Sequence, residues 1–302
     1  MKPILNLVMR GRLPAIIGVV LCILLGLVLS PMVIASAAIV GLATLRNGVR
    51  EGLLITGASL LSVAVLSTVS FQTPWALALP CILLWAPALG LAELLRRGYS
   101  LINTIEIALI GGWIIVGLQY LWLDAPAEFW QNLLQPVLSA YFDATAFSLE
   151  QQNQVLKALV VWMPGAVATG WFTLCILTVL LTLWAEATLR DNHDFAQAFR
   201  ALRCSRPWLI VAPLLLIPSL LDSTQSASLP SQLYLVSTLL FVLQGLSLLH
   251  HLAAQYQVKR YWLSGLYALL VFVAPFSLNI MSMIGYMDGW WDIRARLKAL
   301  DR

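Results

Sequence analysis

Apolar residues along this chain gather into long unbroken runs, at roughly 14–29, 31–45, 53–70, 75–95, 101–123, 158–184, 207–221, 232–253 and 262–285. Most exceed the ~17 residues that a helix needs to cross hydrocarbon. The runs 31–45 and 207–221 are short at ~1.5 Å rise per residue and would cross with little tilt. Strands of a membrane barrel would alternate apolar and polar positions, whereas continuous runs satisfy their backbone only as helices. The pattern predicts an all-α, polytopic transmembrane helical bundle of eight to nine membrane segments, a single integral membrane domain over residues 1–302.

Three stretches have helical spacing but are not spans. In "PAEFWQNLLQPVLSAYF" (126–142), Phe129, Trp130, Leu133, Leu134, Val137, Leu138, Tyr141 and Phe142 form one apolar face, predicting a helix along the outer interface. "RDNHDFAQAFRALRCSRP" (190–207) predicts a cytoplasmic helix over about 190–206, with Phe195, Phe199 and Leu202 on one side and Arg200, Arg203 and Arg206 near its end. The tail, 286–302, places Trp290, Ile293, Leu297 and Leu300 in a stripe, with Asp288 as cap and Asp292 four residues before Arg296. It predicts a basic amphipathic interfacial helix with tryptophans at headgroup depth.

Composition agrees: of 302 residues, 60% are hydrophobic and 11% charged, against about 25% charged in soluble domains. A net charge of +4 would suit nucleic acid, but no basic segment interleaves aromatics as a single-strand binder does. In membranes, Lys and Arg fix topology. With a cytoplasmic N-terminus and every run crossing, Lys2, Arg10, Arg12, Arg46, Arg50, Arg96, Arg97, Arg190, Arg200, Arg203, Arg206, Lys259 and Arg260 all fall inside, and only Lys157 outside. Outside lie Asp124, Glu128, Asp143, Glu150 and Asp222. Nine crossings leave Arg294, Arg296, Lys298 and Arg302 exterior. A non-crossing 207–221 run, which holds Pro207, Pro213 and Pro218, or a last run broken at Pro275, brings them back inside. The reading taken is a cytoplasmic tail. The N-terminus mimics a signal peptide, yet no small-x-small site precedes a polar start, so it is read as a retained span.

Ionisable groups inside hydrocarbon ask for a reason. Glu106 sits about five residues into the fifth run with Asn103 one turn earlier, suited to a cation, an amine-bearing substrate or a proton. Glu93 has Arg96 and Arg97 three and four residues on and can pair with them. Gln244 lies deep in the eighth run, where it needs hydrogen-bond partners. Adjacent His250 and His251 point about 100° apart along a helix and make a poor metal site, and Cys22, Cys81, Cys175 and Cys204 show no metal spacing. Gly18, Cys22 and Gly26, then Ala37 and Gly41, mark a close helix contact. Thr169, Thr173, Thr178 and Thr182 offer a polar path in the sixth run. No phosphate-binding loop, zinc-protease or nucleophile-elbow motif occurs, so no cofactor, metal or catalytic residue is expected.

The pairing of Gln244-Gly245 in "FVLQGLSLLHH" with the closing "GYMDGWWDIRAR" (Gly285, Asp288, Trp291, Asp292, Arg294) resembles the YybS-like family of bacterial membrane proteins. The early "SPMVIASAAIVGLATLRNGVREGL", with Pro31, Arg46 and Gly48, resembles that family's first hairpin. The family is grouped distantly with substrate-binding S components of energy-coupling-factor transporters and with scaffold proteins of cell-wall elongation. The resemblance implies an all-helical inner-membrane protein with a small-molecule pocket between spans. Where S components use Ala-xxx-Ala faces to meet a partner, the first span here carries Gly18, Cys22 and Gly26.

Two functions are therefore carried forward. One is a non-enzymatic, transport-related component binding a small molecule through Glu106, Asn103 and Gln244, with energy from an ATPase on another chain. The other is a scaffold docking partners through Asp288, Trp291, Asp292, Arg294, Arg200 and Arg203. An intramembrane enzyme or lipid translocase is the third and weakest reading.

Overall fold

The computed structural model describes residues 2–142, 148–221, 228–274 and 276–300. Asp143, Asp222, Pro275 and Arg302 lie outside the described residues, as do the side chains of Tyr141, Phe142, Arg260, Lys298 and Leu300. Fourteen helices and no strand occur among the described residues: α1 Lys2–Val8, α2 Arg12–Gly26, α3 Pro31–Asn47, α4 Val49–Phe71, α5 Trp75–Arg96, α6 Leu101–Trp122 and α7 Pro126–Phe142, then α8 Leu149–Arg190, α9 Asp194–Arg200, α10 Arg206–Leu221, α11 Leu229–Gln255, α12 Arg260–Phe272, α13 Phe276–Trp291 and α14 Ile293–Leu300.

Among the described residues five helices, α4, α5, α6, α8 and α11, are long and apolar enough to cross a membrane, and the count reaches seven if two bent pairs each make one span. Those pairs are α1 with α2, bent by 116°, and the last run, bent by 120° between α12 and α13. The last run is thus two helices, not one continuous span. α3 and α10 are shorter apolar helices. The expected eight to nine segments therefore become several spanning helices among shorter and broken ones. The sixth run is longer than its apolar core suggests: at 42 residues, α8 extends about 63 Å. The helix expected over 190–206 shrinks to the seven residues of α9, because α8 continues to Arg190 and the chain is non-helical from Ala201 to Ser205.

The chain divides into two compact units, Met1–Ala108 with Thr173–Leu202, and Leu109–Phe172 with Arg203–Arg302. In unit one, Gly48 adopts φ +93° between α3 and α4, a left-handed conformation that lets the chain reverse without a loop. α3 packs against α2, α4 and α5, burying Val19, Ala37, Val40, Val63 and Trp85. The Trp85 Nε1–H donates to Ser36 Oγ at 2.9 Å, which supplies the indole with the partner it needs away from water. Gly18, Cys22 and Gly26 flank the buried face of α2, which is Ala15, Val19 and Ile23, and a Cβ on Gly18 would meet Val8 and Ile39. Thr178 and Thr182 are buried.

In unit two, α11 and α13 form the most extensive helix pairing among the described residues. A Cβ on Gly285 would stand 1.9 Å from the Phe241 carbonyl oxygen, so only glycine permits this backbone approach. α7 matches its predicted bounds and leaves Phe129, Leu133 and Val137 exposed. Pro164 lies inside α8, where it cannot donate to the helix ladder, and Gln232 of α11 bonds to the backbone beside it. Its Oε1 accepts from the Gly165 N–H at 2.7 Å and its Nε2 donates to the Val161 carbonyl at 2.7 Å. Those two backbone groups are an i, i−4 pair of the helix ladder, bridged here by one side-chain amide.

Candidate functional site

Two polar constellations stand out, one in each unit. The first surrounds a cavity of about 390 Å³ in unit one, lined by the ends of α3 (Leu45), α5 (Leu95, Arg96) and α8 (Leu183, Glu186, Ala187, Arg190), by Asn192 and Asp194, and by α9 (Phe195, Ala198). Local chemistry explains why the chain closes over it. Asp191 takes φ +53°, a left-handed value that aspartate tolerates better than most residues, and the Asn192 N–H bonds back to the Ala187 carbonyl at 3.1 Å. This turn ends α8 and sends α9 across the helix ends. Lys2 pairs with Asp191, and Asn192 donates to Asp194 within the turn.

Charge at the cavity is organised by carboxylates that gather guanidiniums. Glu186 is 7% exposed; its Oε1 accepts from Arg190 Nε and its Oε2 lies 3.2 Å from Arg46 Nε. Glu93 accepts from Arg96 at 2.6 and 2.9 Å and from Arg97 at 2.8 Å, the pairing its spacing suggested. The sequence pattern does not single out Glu186, because the apolar run ends at residue 184. The signal that could have found it is "EATLR", an i,i+4 glutamate–arginine pair at the basic end of a span.

The second constellation, in unit two, is buried. Gln244 is fully enclosed; its Oε1 accepts from the Cys204 N–H at 2.9 Å and its Nε2 donates to Asp288 Oδ2 at 3.4 Å. Arg294, only 4% exposed, donates Nε to Asp288 Oδ2 at 3.2 Å and Nη2 to Ser247 Oγ at 3.1 Å. Burial pushes the Arg294 guanidinium below its usual pKa against the opposing pull of Asp288. Tyr286 and Trp113 extend the stitching, through a hydroxyl to the Leu209 carbonyl at 3.0 Å and an indole N–H to Ser237 Oγ at 3.1 Å.

The tail is not one helix. α13 runs through Asp288, which therefore does not cap the tail; Asp292 does, with φ +46° and its Oδ1 accepting the Ala295 N–H at 3.1 Å. Asp292 also accepts a bidentate pair of hydrogen bonds from Arg203, at 2.6 and 2.9 Å. The Arg203 hydrogen bonds hold the Asp292 carboxyl below its ordinary range and raise the guanidinium.

Of the residues proposed for substrate, Gln244 thus joins the tail residues Asp288 and Arg294. Asn103 is exposed and Glu106 half-buried in unit one, and neither lines the cavity. Of those proposed for docking, Trp291 is 52% exposed, Arg200 half-buried, and the other four are engaged as above. Among the described residues no group of three His, Cys, Asp or Glu side chains could hold a metal ion. His250 Nε2 lies 3.2 Å from the Tyr267 hydroxyl.

Long apolar helices stitched by buried polar groups define a multi-pass helical membrane protein. The chain belongs to the family described as predicted membrane protein (DUF2232), which matches residues 15–289. No curated protein and no solved structure matches it.

Proposed function

We propose that this protein is a non-enzymatic, small-molecule-binding component of a transport-related system in the bacterial inner membrane, acting with partner chains. The observation that carries this reading is the unit-one cavity: about 390 Å³, within the range of ligand sites, with apolar walls and a few charged groups at one end. The likeness to the YybS-like family, and through it to transporter S components, points the same way. The ligand site moves from Glu106, Asn103 and Gln244 to the cavity. In the proposed topology its arginine-rich end is cytoplasmic, since Arg46, Arg96, Arg97 and Arg190 all fall on the positive side.

The test is mild affinity purification from native membranes with mass spectrometry of bound small molecules and co-purifying proteins, on the wild type and on Ala198→Trp. Ala198 is a half-buried cavity wall on α9, and tryptophan there fills the space. The expected result is a retained small molecule that the variant loses. An empty wild type with stoichiometric protein partners would favour the scaffold. For that reading, deletion of 286–302 is not a clean probe, because it removes Asp288 and Arg294 from the buried network of unit two. Trp291→Ala is the cleaner change.

A further inference from the structure

Building on the cavity reading above, we infer that its ligand is an amphipathic anion, a phosphate or carboxylate head on an apolar stem. The argument is one of hydrogen-bond capacity. Each guanidinium carries five N–H donors. Arg190 gives one of its nitrogens to Glu186, and Arg96 gives two to Glu93, so both keep donors at the cavity they line. The Glu186 carboxylate offers little in return. Glu186 Oε1 is taken by Arg190, and its Oε2 is sealed from solvent beside Arg46. Asp194 accepts from Asn192. The cavity lining carries Arg96 and Arg190 beside Glu186 and Asp194, and Arg46 and Arg97, outside the lining, share Glu186 and Glu93 with them. Leu45, Leu95, Leu183 and Phe195 supply the wall for an apolar stem. A cation would meet spare guanidinium N–H groups; a neutral apolar molecule would leave those donors without acceptors.

This chemistry has two sources, the phosphate of a bilayer lipid or a free amphipathic acid, and the experiment separates them. Purified protein in dodecyl maltoside is titrated calorimetrically with octyl phosphate and, as a control of equal chain length, octyltrimethylammonium. Octyl phosphate is expected to bind, with affinity at least about tenfold weaker in Arg190→Gln, partly restored in Arg190→Lys, and falling with salt. Ala198→Trp should abolish binding. Competition by phosphatidylglycerol would assign the site to lipid; its failure to compete would assign it to a free amphiphile. Equal or tighter binding of the cation, or an unchanged Arg190→Gln, overturns the inference. If neither probe binds while a native small molecule is still lost in Ala198→Trp, the ligand class is wrong and the cavity reading stands. If Ala198→Trp changes no binding at all, both fall.

Discussion

Arginine and carboxylate meet in both units, with opposite consequences. In unit one, Arg190 is 63% exposed and shares Glu186 with Arg46 at the edge of a cavity, so donor capacity is left over. In unit two, Arg294 and Asp288 are 4% and 0% exposed at their side chains, and their partners Gln244 and Ser247 are themselves enclosed. The same ion pair keeps unused donors where water can reach it, and is a fastening where water cannot. Burial, more than residue type, separates the two roles.

The comparison breaks hardest at the α11–α13 crossing. Gly285→Leu puts a side chain where the Phe241 carbonyl and Gly245 nitrogen already stand, at 1.9 and 2.7 Å from the first added carbon. The expected outcome is loss of folded protein, seen as a collapsed monodisperse peak on size-exclusion chromatography in detergent. Next comes the buried pair. Asp288→Asn or Arg294→Met alone should cost about 3–5 kcal/mol, read as a lowered melting temperature, because each strands the other group. Asp288→Leu with Arg294→Met should recover much of that loss, and failure to recover would show that the network does more than fasten.

Gln232→Leu leaves the Gly165 N–H and the Val161 carbonyl without the amide that bridges them. At about 1–3 kcal/mol per unsatisfied group, its melting shift should approach that of the ion-pair variants. Glu106→Gln sharpens the other side of the comparison: ligand retention should be unchanged, and its loss would return the binding site to Glu106.

The smallest effect belongs to Arg203→Gln. Its pair with Asp292 is 44% and 46% exposed, so solvent screening limits it to about 1 kcal/mol or less, fading with salt. Because Arg203 depresses the Asp292 pKa, that contribution is present above the ordinary aspartate value of about 3.9 and is lost as pH falls through the lowered folded value. Melting temperatures of wild type and variant should therefore differ at neutral pH and converge in acid.

Much of this was legible in the sequence, unevenly. Hydrophobic run length located α4, α5, α6 and α11 to within a few residues, and helical spacing gave α7 its full extent. The bends at α1–α2 and α12–α13 were harder, since hydropathy reads composition and not direction. The tail residues were noticed as a group, but as an exposed surface. Nothing in a linear pattern shows that Arg294 folds back to Asp288 and Ser247, because the turn at Asp292 rests on a left-handed conformation. Gln232 escaped notice for a related reason: its partners are backbone groups beside Pro164, 68 residues away. Glu186 was hidden because an apolar count stops at the first charge, whereas a membrane helix continues into the interface and pairs its charges there.

The most direct measurement places one cysteine, Ala198→Cys, in a Cys22→Ser background; Cys81, Cys175 and Cys204 are buried and should stay silent. Maleimide labelling is then compared in inverted and right-side-out membrane vesicles, with and without octyl phosphate. The account predicts rapid labelling from the cytoplasmic side alone and protection by the phosphate. Labelling from the outer side, or labelling that octyl phosphate leaves unchanged, would contradict it.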